Sequence, residues 1–402
     1  MKELRTGPLS DLRIVDCTQA LAGPFGTALL ADLGADVIKI EPPRGDMARI
    51  LPPLPKDFAA PASGNTAGCD YGGYFASINR NKRSVVLDLT KEGDRASFLD
   101  LVETANAVVE NSRVGVMDRL GVGYETCRTR NARIVYAAIR GFGDPRTGES
   151  PYAQWPAFDI VAQCMGGLVG ITGPTGGAGF PSGSSVGDIF PGTLMALGVV
   201  SAIHAARRTG QGQFLDVSMV DAVLALCETI VVNYSYAKRT LGARGSGHPS
   251  LCPFDVYETS DGAVAIAAPM ENHWGALCTI LGRPDLVSDE RTKDVSRRSA
   301  NRDFVNGILL AWTRTKTKRE VVEILGGKVP VGPVNTAPDV FTDPHVAARD
   351  MLAEMELPGE NHRVVVANTP IKFTATPAGV YRRPPLLGEH TEEVLGELKR
   401  KQ

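Results

Sequence analysis

The first 140 residues of the chain repeat one pattern, an almost unbroken apolar run followed by a segment with helical spacing. Leu12–Asp16, Asp36–Glu41 (DVIKIE), Ser84–Leu89, Ala107–Glu110 and Ile134–Ile139 read as strands. Between the first two, Phe25, Leu29 and Leu33 recur every four residues on one helical face, Pro24 suits the first turn and Gly34 suits a C-terminal cap. A second helix is expected near Lys91–Glu103. Apolar strands without alternation have no face to offer to water, so their sheet is parallel and covered on both sides. The expected fold class is α/β.

Beyond this region glycine takes over. Gly166–Gly187 contains nine glycines and reads as an ordered loop. A helix from about Thr193 to Arg208, a strand at Phe214–Val217 and a helix over Asp221–Lys238 follow. Phe254–Thr259 and Ala263–Ala267, with Asp261-Gly262 between them, predict a β-hairpin. Helical patterns fill 272–325, and a charged helix, Thr391–Arg400, ends the chain. The expected organisation is a large domain from 1–200 and 330–402, linkers at 201–225 and 326–329, and a small α+β domain at 226–325.

A chain of 402 residues with 43% hydrophobic residues can bury a large core. Its net charge of -2 gives no general attraction to nucleic acid or an anionic membrane, so any anionic ligand must be met by local cations. No apolar run reaches the roughly 18 residues of a membrane span, and the start MKELRTGPLSDLRIVD lacks a signal core. Cytoplasmic localisation is expected, with neither membrane nor nucleic acid as partner. The seven cysteines form no CxxC pair and the six histidines lie far apart, so no metal site is expected.

Residue chemistry alone leaves alternatives open. Ala22-Gly23-Pro24 places free N–H groups at a helix start directly after a strand, a setting for phosphate or carboxylate, and equally an ordinary βα turn. Neither GxGxxG nor a Walker motif occurs, which removes the signature of a dinucleotide or P-loop enzyme. Asn111 and Arg119 follow a strand end, on the side where open α/β sheets bind ligands. His248 lies in a glycine-rich loop, and Asp159 and Asp188 flank the glycine-rich segment. Each carboxylate is either catalytic or a cap.

Longer stretches resemble one family. LSDLRIVDCTQALAGPFGTALLADLGADVIKIEPPRGDMAR, NRNKRSVVLDL, VVENSRVGVMDRLGVGYE, FDIVAQCMGGLVGITG, RRTGQGQFLDVSM, HPSLCPFDVYETSDG and PLLGEHTEEVL are similar, in order, to segments of the family III CoA-transferases, the group of formyl-CoA and carnitine-CoA transferases. The resemblance implies a Rossmann-like large domain, a smaller domain and an interlocked ring dimer, with acyl-CoA and a carboxylic acid as substrates and no metal. It implies that Leu21 and Ala22 face the CoA. Leu87, Asp88 and Thr90 would border the adenine end, with Asn111, Ser112 and Arg113 beside the nucleotide. Arg119 would be a phosphate or ribose contact, and Arg140, Gly141 and Phe142 would edge the pantetheine entrance. An arginine that some members carry just after IKIE is Pro42 here, and Arg44 is its substitute.

In family transferases an aspartate in a TGxxDGPP run attacks the thioester. The matching run, Thr172 to Asp188, aligns without a gap and puts Gly176 at that place. The racemase branch pairs a histidine with an aspartate. Its aspartate corresponds to Asp188 and its histidine to Phe158. Three functions therefore remain. The chain transfers CoA between carboxylic acids, as a homodimer or as the non-nucleophilic subunit of a heteromer with a paralogue. Or it is an acyl-CoA racemase, isomerase or lyase using Asp188 or another group such as Asp159 or His248. Or it binds CoA esters without catalysis.

Overall fold

The computed structural model describes residues 6–54, 72–357 and 363–400. Cys69 and His362 fall outside them. The described residues divide into two compact units. The first contains 1–168, 181–237 and 345–402, and the second 169–180 and 238–344. The sequence limits of 226 and 325 for the small domain differ from these.

The first unit is built on a six-stranded parallel sheet. Its strands are β1 (Arg13–Cys17), β2 (Asp36–Glu41), β3 (Arg83–Val86), β4 (Ala107–Glu110), β5 (Val135–Arg140) and β6 (Phe214–Ser218), in the order β3-β2-β1-β4-β5-β6. Among its helices are α1 (Ala22–Asp32), α2 (Gly73–Asn79), α3 (Glu92–Thr104), α4 (Asp159–Met165), α5 (Val186–Thr209), α6 (Met219–Leu226) and α7 (Glu228–Ala237). Every residue of β2, β4 and β5 is buried, as expected of parallel strands covered on both faces. Val15, Ile38, Val85 and Val108 pack with Phe98, Leu101 and Val102 of α3 and with Val394 and Leu398 of the C-terminal helix Thr391–Lys399. Each such buried side chain contributes roughly 1.5–3 kcal/mol. Helices α1 and α5 lie against each other and against β1 and β5. They touch through backbone, since a Cβ on Gly192 would sit 2.2 Å from the Ala22 carbonyl oxygen and one on Gly26 2.3 Å from that of Gly192.

Two expectations need correction. The helix expected from Thr193 begins at Val186 and takes in Pro191 in its second turn, where the missing N–H leaves the Gly187 carbonyl without its intrahelical donor. At 24 residues it is long and apolar enough by composition to cross a membrane, contrary to the sequence reading; here it packs on α1. The helix expected over Asp221–Lys238 is two helices, α6 and α7, bent by 65°. The break falls at Cys227, where neither glycine nor proline marks it.

Beneath the sheet's C-terminal edge lies a buried charge cluster. Lys82 Nζ donates to Asp16 at 3.0 Å and to Thr27 Oγ1 at 2.8 Å, and Lys39 Nζ donates to Asp46 at 2.8 Å. Burial opposes charge on Asp16, yet Lys82 and Lys39 hold its carboxyl at about 2.

The second unit carries an antiparallel sheet of β7 (Phe254–Thr259), β8 (Gly262–Ala267) and β9 (Val331–Pro333). Helices α8 (Glu271–Ile280), α9 (Arg302–Thr313) and α10 (Lys318–Leu325) pack on it through Trp274, Leu277, Val305, Leu309 and Val321, all at most 1% exposed.

Removing one partner of a buried ion pair strands the other, so Asp16→Asn should lower stability by about 3–5 kcal/mol at neutral pH, measured by urea denaturation. Because the folded carboxyl titrates below the unfolded one, Asp16's contribution is present above pH 4 and fades as pH falls toward 2. The deficit of the variant should shrink over the same window.

Candidate functional site: a cleft at the strand ends

The loops after β1, β2, β4 and β5 enclose a cleft of about 640 Å³, within the range of small-molecule sites. It opens between the neighbours β1 and β4, whose chain connections run to opposite sides of the sheet, β1 to β2 and β4 to β5, the switch point at which open α/β sheets bind ligands.

Each wall has a local cause. The turn before α1 is held from below. Lys39 Nζ donates to the Thr18 carbonyl at 2.8 Å, and the Ala20 N–H donates to Asp46 at 3.1 Å. Ala20 is kept at φ +65°, in the left-handed region that residues with a Cβ seldom occupy. The start of α1 then presents the N–H groups of Ala22 and Gly23, which have no acceptor within the helix. Across the cleft, the Gln19 N–H donates to Asn111 Oδ1 at 2.9 Å and Asn111 Nδ2 donates to the Gln19 carbonyl at 2.8 Å. Arg140 is buried, donating to Glu110 at 2.6 Å, to Asp144 at 2.9 Å and to the Ser112 carbonyl.

The structure brings together Leu21, Ala22, Asn111, Ser112, Arg113, Arg140, Gly141 and Asp188, with Arg44 and Met47 from the loop after β2. It leaves others outside the lining. Leu87 is buried. The Asp88 carboxylate accepts the Thr90 N–H and hydroxyl at 3.2 and 2.6 Å at the end of edge strand β3. Arg119 is exposed at the end of the short helix Val116–Arg119. Phe142 is buried behind Tyr152 and Trp155. Two of the lining groups are committed to scaffolding, since the Asn111 amide and the Arg140 guanidinium spend their bonds on neighbouring loops. The cations offered to a ligand are Arg44 and Arg113, both exposed and without an ion pair among the described residues. The sequence reading missed Trp155, which is 59% exposed and lines the cleft. A large aromatic in a loop after a strand was the available signal.

Asp188 stands in the first turn of α5. Burial, then the negative charge of Asp159, push its carboxyl up to about 7. Asp159 is engaged, accepting the Gly187 N–H at 2.7 Å and the Gln163 amide at 2.8 Å. The Tyr74 hydroxyl is raised by burial and by the charges of Asp188, Asp46 and Asp159.

Gly176 and His248 belong to the second unit. Gly176 has φ +76° in a turn closed by the Gly177 N–H donating to the Pro174 carbonyl at 3.1 Å, the third position of a type II turn. The Gly245 N–H donates to the Gly173 carbonyl at 2.7 Å, joining this turn to the loop that carries His248. Among the described residues no group of three or more His, Cys, Asp or Glu is arranged to hold a metal.

The sequence profile of CoA-transferase family III matches residues 9–391. Over 391 residues the chain is 44% identical to a succinyl-CoA:mesaconate CoA-transferase of Haloarcula hispanica, covering 97% of this chain and 96% of that one. It is 31% identical to the beta subunit of a succinyl-CoA–L-malate CoA-transferase of Chloroflexus aurantiacus, covering 98% and 94%. The crystal structure of a CAIB/BAIF family protein from Brucella suis superposes with a TM-score of 0.85 at 33% identity, covering 98% of this chain and all of that one.

With Asp188 held near neutrality by its surroundings, Asp159→Asn should lower its titration midpoint, as read by carboxyl ¹³C shifts. Its folded pKa lies above the unfolded 3.8, so ionising it opposes folding at high pH. Asp188→Asn should therefore stabilise the protein at pH 8 and not at pH 3.5, as seen in parallel thermal melts.

Proposed function

The chain belongs to CoA-transferase family III, and on that footing we propose that it binds an acyl-CoA thioester in the strand-end cleft and serves in CoA transfer between carboxylic acids. The observation that carries the reading is the cleft itself. Arg44 and Arg113 stand free beside the N–H groups at the start of α1, a setting made for phosphate. CoA is the substrate's carrier and no metal is invoked. Trp155 supplies an apolar face at the rim. The acids named for the relatives, succinate, mesaconate and malate, point to dicarboxylic substrates for this chain.

In the family chemistry a carboxylate oxygen attacks the thioester carbonyl, the C–S bond breaks, and CoA leaves as thiolate while a mixed anhydride forms. Gly176 has no oxygen to perform that attack. A Cβ at Gly176 would meet nothing within 4 Å, so space does not forbid a carboxylate there. The backbone opposes most side chains at φ +76°, although aspartate tolerates this region better than most. The chain then acts beside a nucleophile-bearing homologue. The kinship with a beta subunit supports such a heteromer. So does the apolar surface of α6 and α7, where Leu224, Leu226, Val231, Val232 and Tyr236 are 42–94% exposed, more than a solitary chain ordinarily leaves in one stretch. The same surface suits a homodimer of the interlocked kind.

A second reading rests on Asp188. A carboxyl poised at about 7 is half protonated at neutral pH and suited to pass a proton at an acyl α-carbon, as in a racemase, isomerase or lyase.

Incubating the chain with succinyl-CoA and a panel of carboxylic acids, with thioesters followed by mass spectrometry, separates these readings. The expected result is no transfer by the chain alone and measurable transfer by Gly176→Asp. Transfer by the unaltered chain would move the nucleophile to Asp188, Asp159 or His248. Solvent deuterium entering the acyl α-carbon, lost in Asp188→Asn, would favour the second reading. Silence throughout, with CoA still bound, would leave a binding protein. Arg113→Ala and Arg44→Ala should each weaken CoA binding about five- to tenfold, less at high salt, by calorimetric titration. Light scattering of the chain alone should give at least twice the monomer mass if the α6–α7 surface joins two copies.

A further inference from the structure

A second cleft, of about 350 Å³, lies wholly within the second unit and is lined by Thr175, Arg244, Gly247, His248, Asp255 and Arg302 among others. Arg302 is anchored by one nitrogen only. Its Nη2 donates to the carbonyls of His248 at 2.7 Å and Leu251 at 3.0 Å, while Nη1 is buried with no acceptor among the described residues. A buried guanidinium N–H without an acceptor is unfavourable until a ligand brings one. Gly247 packs against both groups, since a Cβ there would lie 2.9 Å from Asp255 Oδ2 and 3.0 Å from that Nη1. His248 Nδ1 accepts the Ser250 N–H at 3.1 Å, so the neutral ring carries its proton on Nε2 and offers a further donor. Asp255 does not serve as Arg302's partner. Its oxygens accept the Ser246 hydroxyl, the Val256 N–H and the Asn306 amide. Two arginines against one aspartate leave the lining with a single positive charge.

We propose that this cleft binds the free carboxylate of a dicarboxylic substrate, with Arg302 and Arg244 as its cationic partners and His248 as a neutral donor. The proposal rests on the reading of the chain as a participant in acyl-CoA transfer, and it deepens that reading by naming the residues that hold the substrate's second carboxylate. The planar fork of a guanidinium matches a carboxylate, and one net positive charge suits one such group. At roughly 30 Å³ per water, the cleft holds on the order of ten water volumes, room for a short diacid. Thr175 places it directly beside Gly176, in the turn where the family's transfer chemistry is centred.

The full chain would be titrated by calorimetry with succinate, with inorganic phosphate and, separately, with CoA. Succinate should bind, Arg244→Ala should weaken it about tenfold, and Arg302→Met should weaken it more. CoA affinity should stay within twofold in both variants, which also shows that they are folded. Absence of succinate binding to the unaltered chain, or equal binding by both variants, would overturn the proposal. Phosphate binding in place of succinate, lost in the same variants, would also overturn it by assigning the cleft to phosphoryl groups. If CoA fails to bind while succinate still depends on Arg302, the acyl-CoA reading falls and the carboxylate site stands.

Discussion

The first unit depends on charges that never meet water. Lys39, Lys82, Asp16 and Asp46 are all fully buried, and each is useful only because the others are there. Lys82 ties β1 to α1 and to the end of α2 through Asp16, Thr27 and Asn79. Lys39 reaches from β2 to the Thr18 carbonyl and to Asp46. Asp46 in turn holds the N–H of Ala20. Apolar packing makes the sheet, but this relay fixes where the loops above it stand. Charges lacking one another would each carry a desolvation cost of several kcal/mol, so the arrangement admits few intermediate forms.

The same logic divides the arginines of the cleft. The family resemblance puts Arg140 at the pantetheine entrance. Its guanidinium is consumed by Glu110, Asp144 and Ser112, and its service is to hold the loop from which Arg113 projects. Arg113 and Arg44 have no ion pair among the described residues and stand open at the cleft. A strand-end position thus marks a residue as near the site without telling whether it touches what binds there.

The parallel sheet was legible because β1, β2, β4 and β5 are apolar throughout, and only a doubly covered sheet tolerates that. The loops at its C-terminal edge were legible from the turn at Ala22-Gly23-Pro24 and from family likeness. What escaped depended on contacts distant in sequence. That Leu87 and Asp88 follow the edge strand β3 and stand outside this cleft's lining is one such case, since strand order is invisible to a local pattern. Trp155 escaped because a large aromatic in a loop after a strand marks a candidate without telling whether it lines the cleft or packs behind it, as Phe142 does. The start of α5 escaped because glycine and proline near its first turn resemble a continuing loop. The poised state of Asp188 follows first from burial that no sequence window reports, and then from Asp159, 29 positions earlier in the chain.

The meeting of α1 and α5 at Gly26 and Gly192 has a bearing on how such a cleft can diverge. Ala22, which opens α1 at the cleft, is pressed against Gly192, a single helical turn beyond Asp188. The spacing between that helix end and the poised carboxyl is therefore set by peptide atoms in contact, with no side chain as spacer. Side chains elsewhere around the opening, such as Trp155, Phe158 and Met219, can be exchanged without disturbing that gauge. A lineage built on this scaffold can change the lining of the cleft while inheriting the separation of that helix end from Asp188 intact.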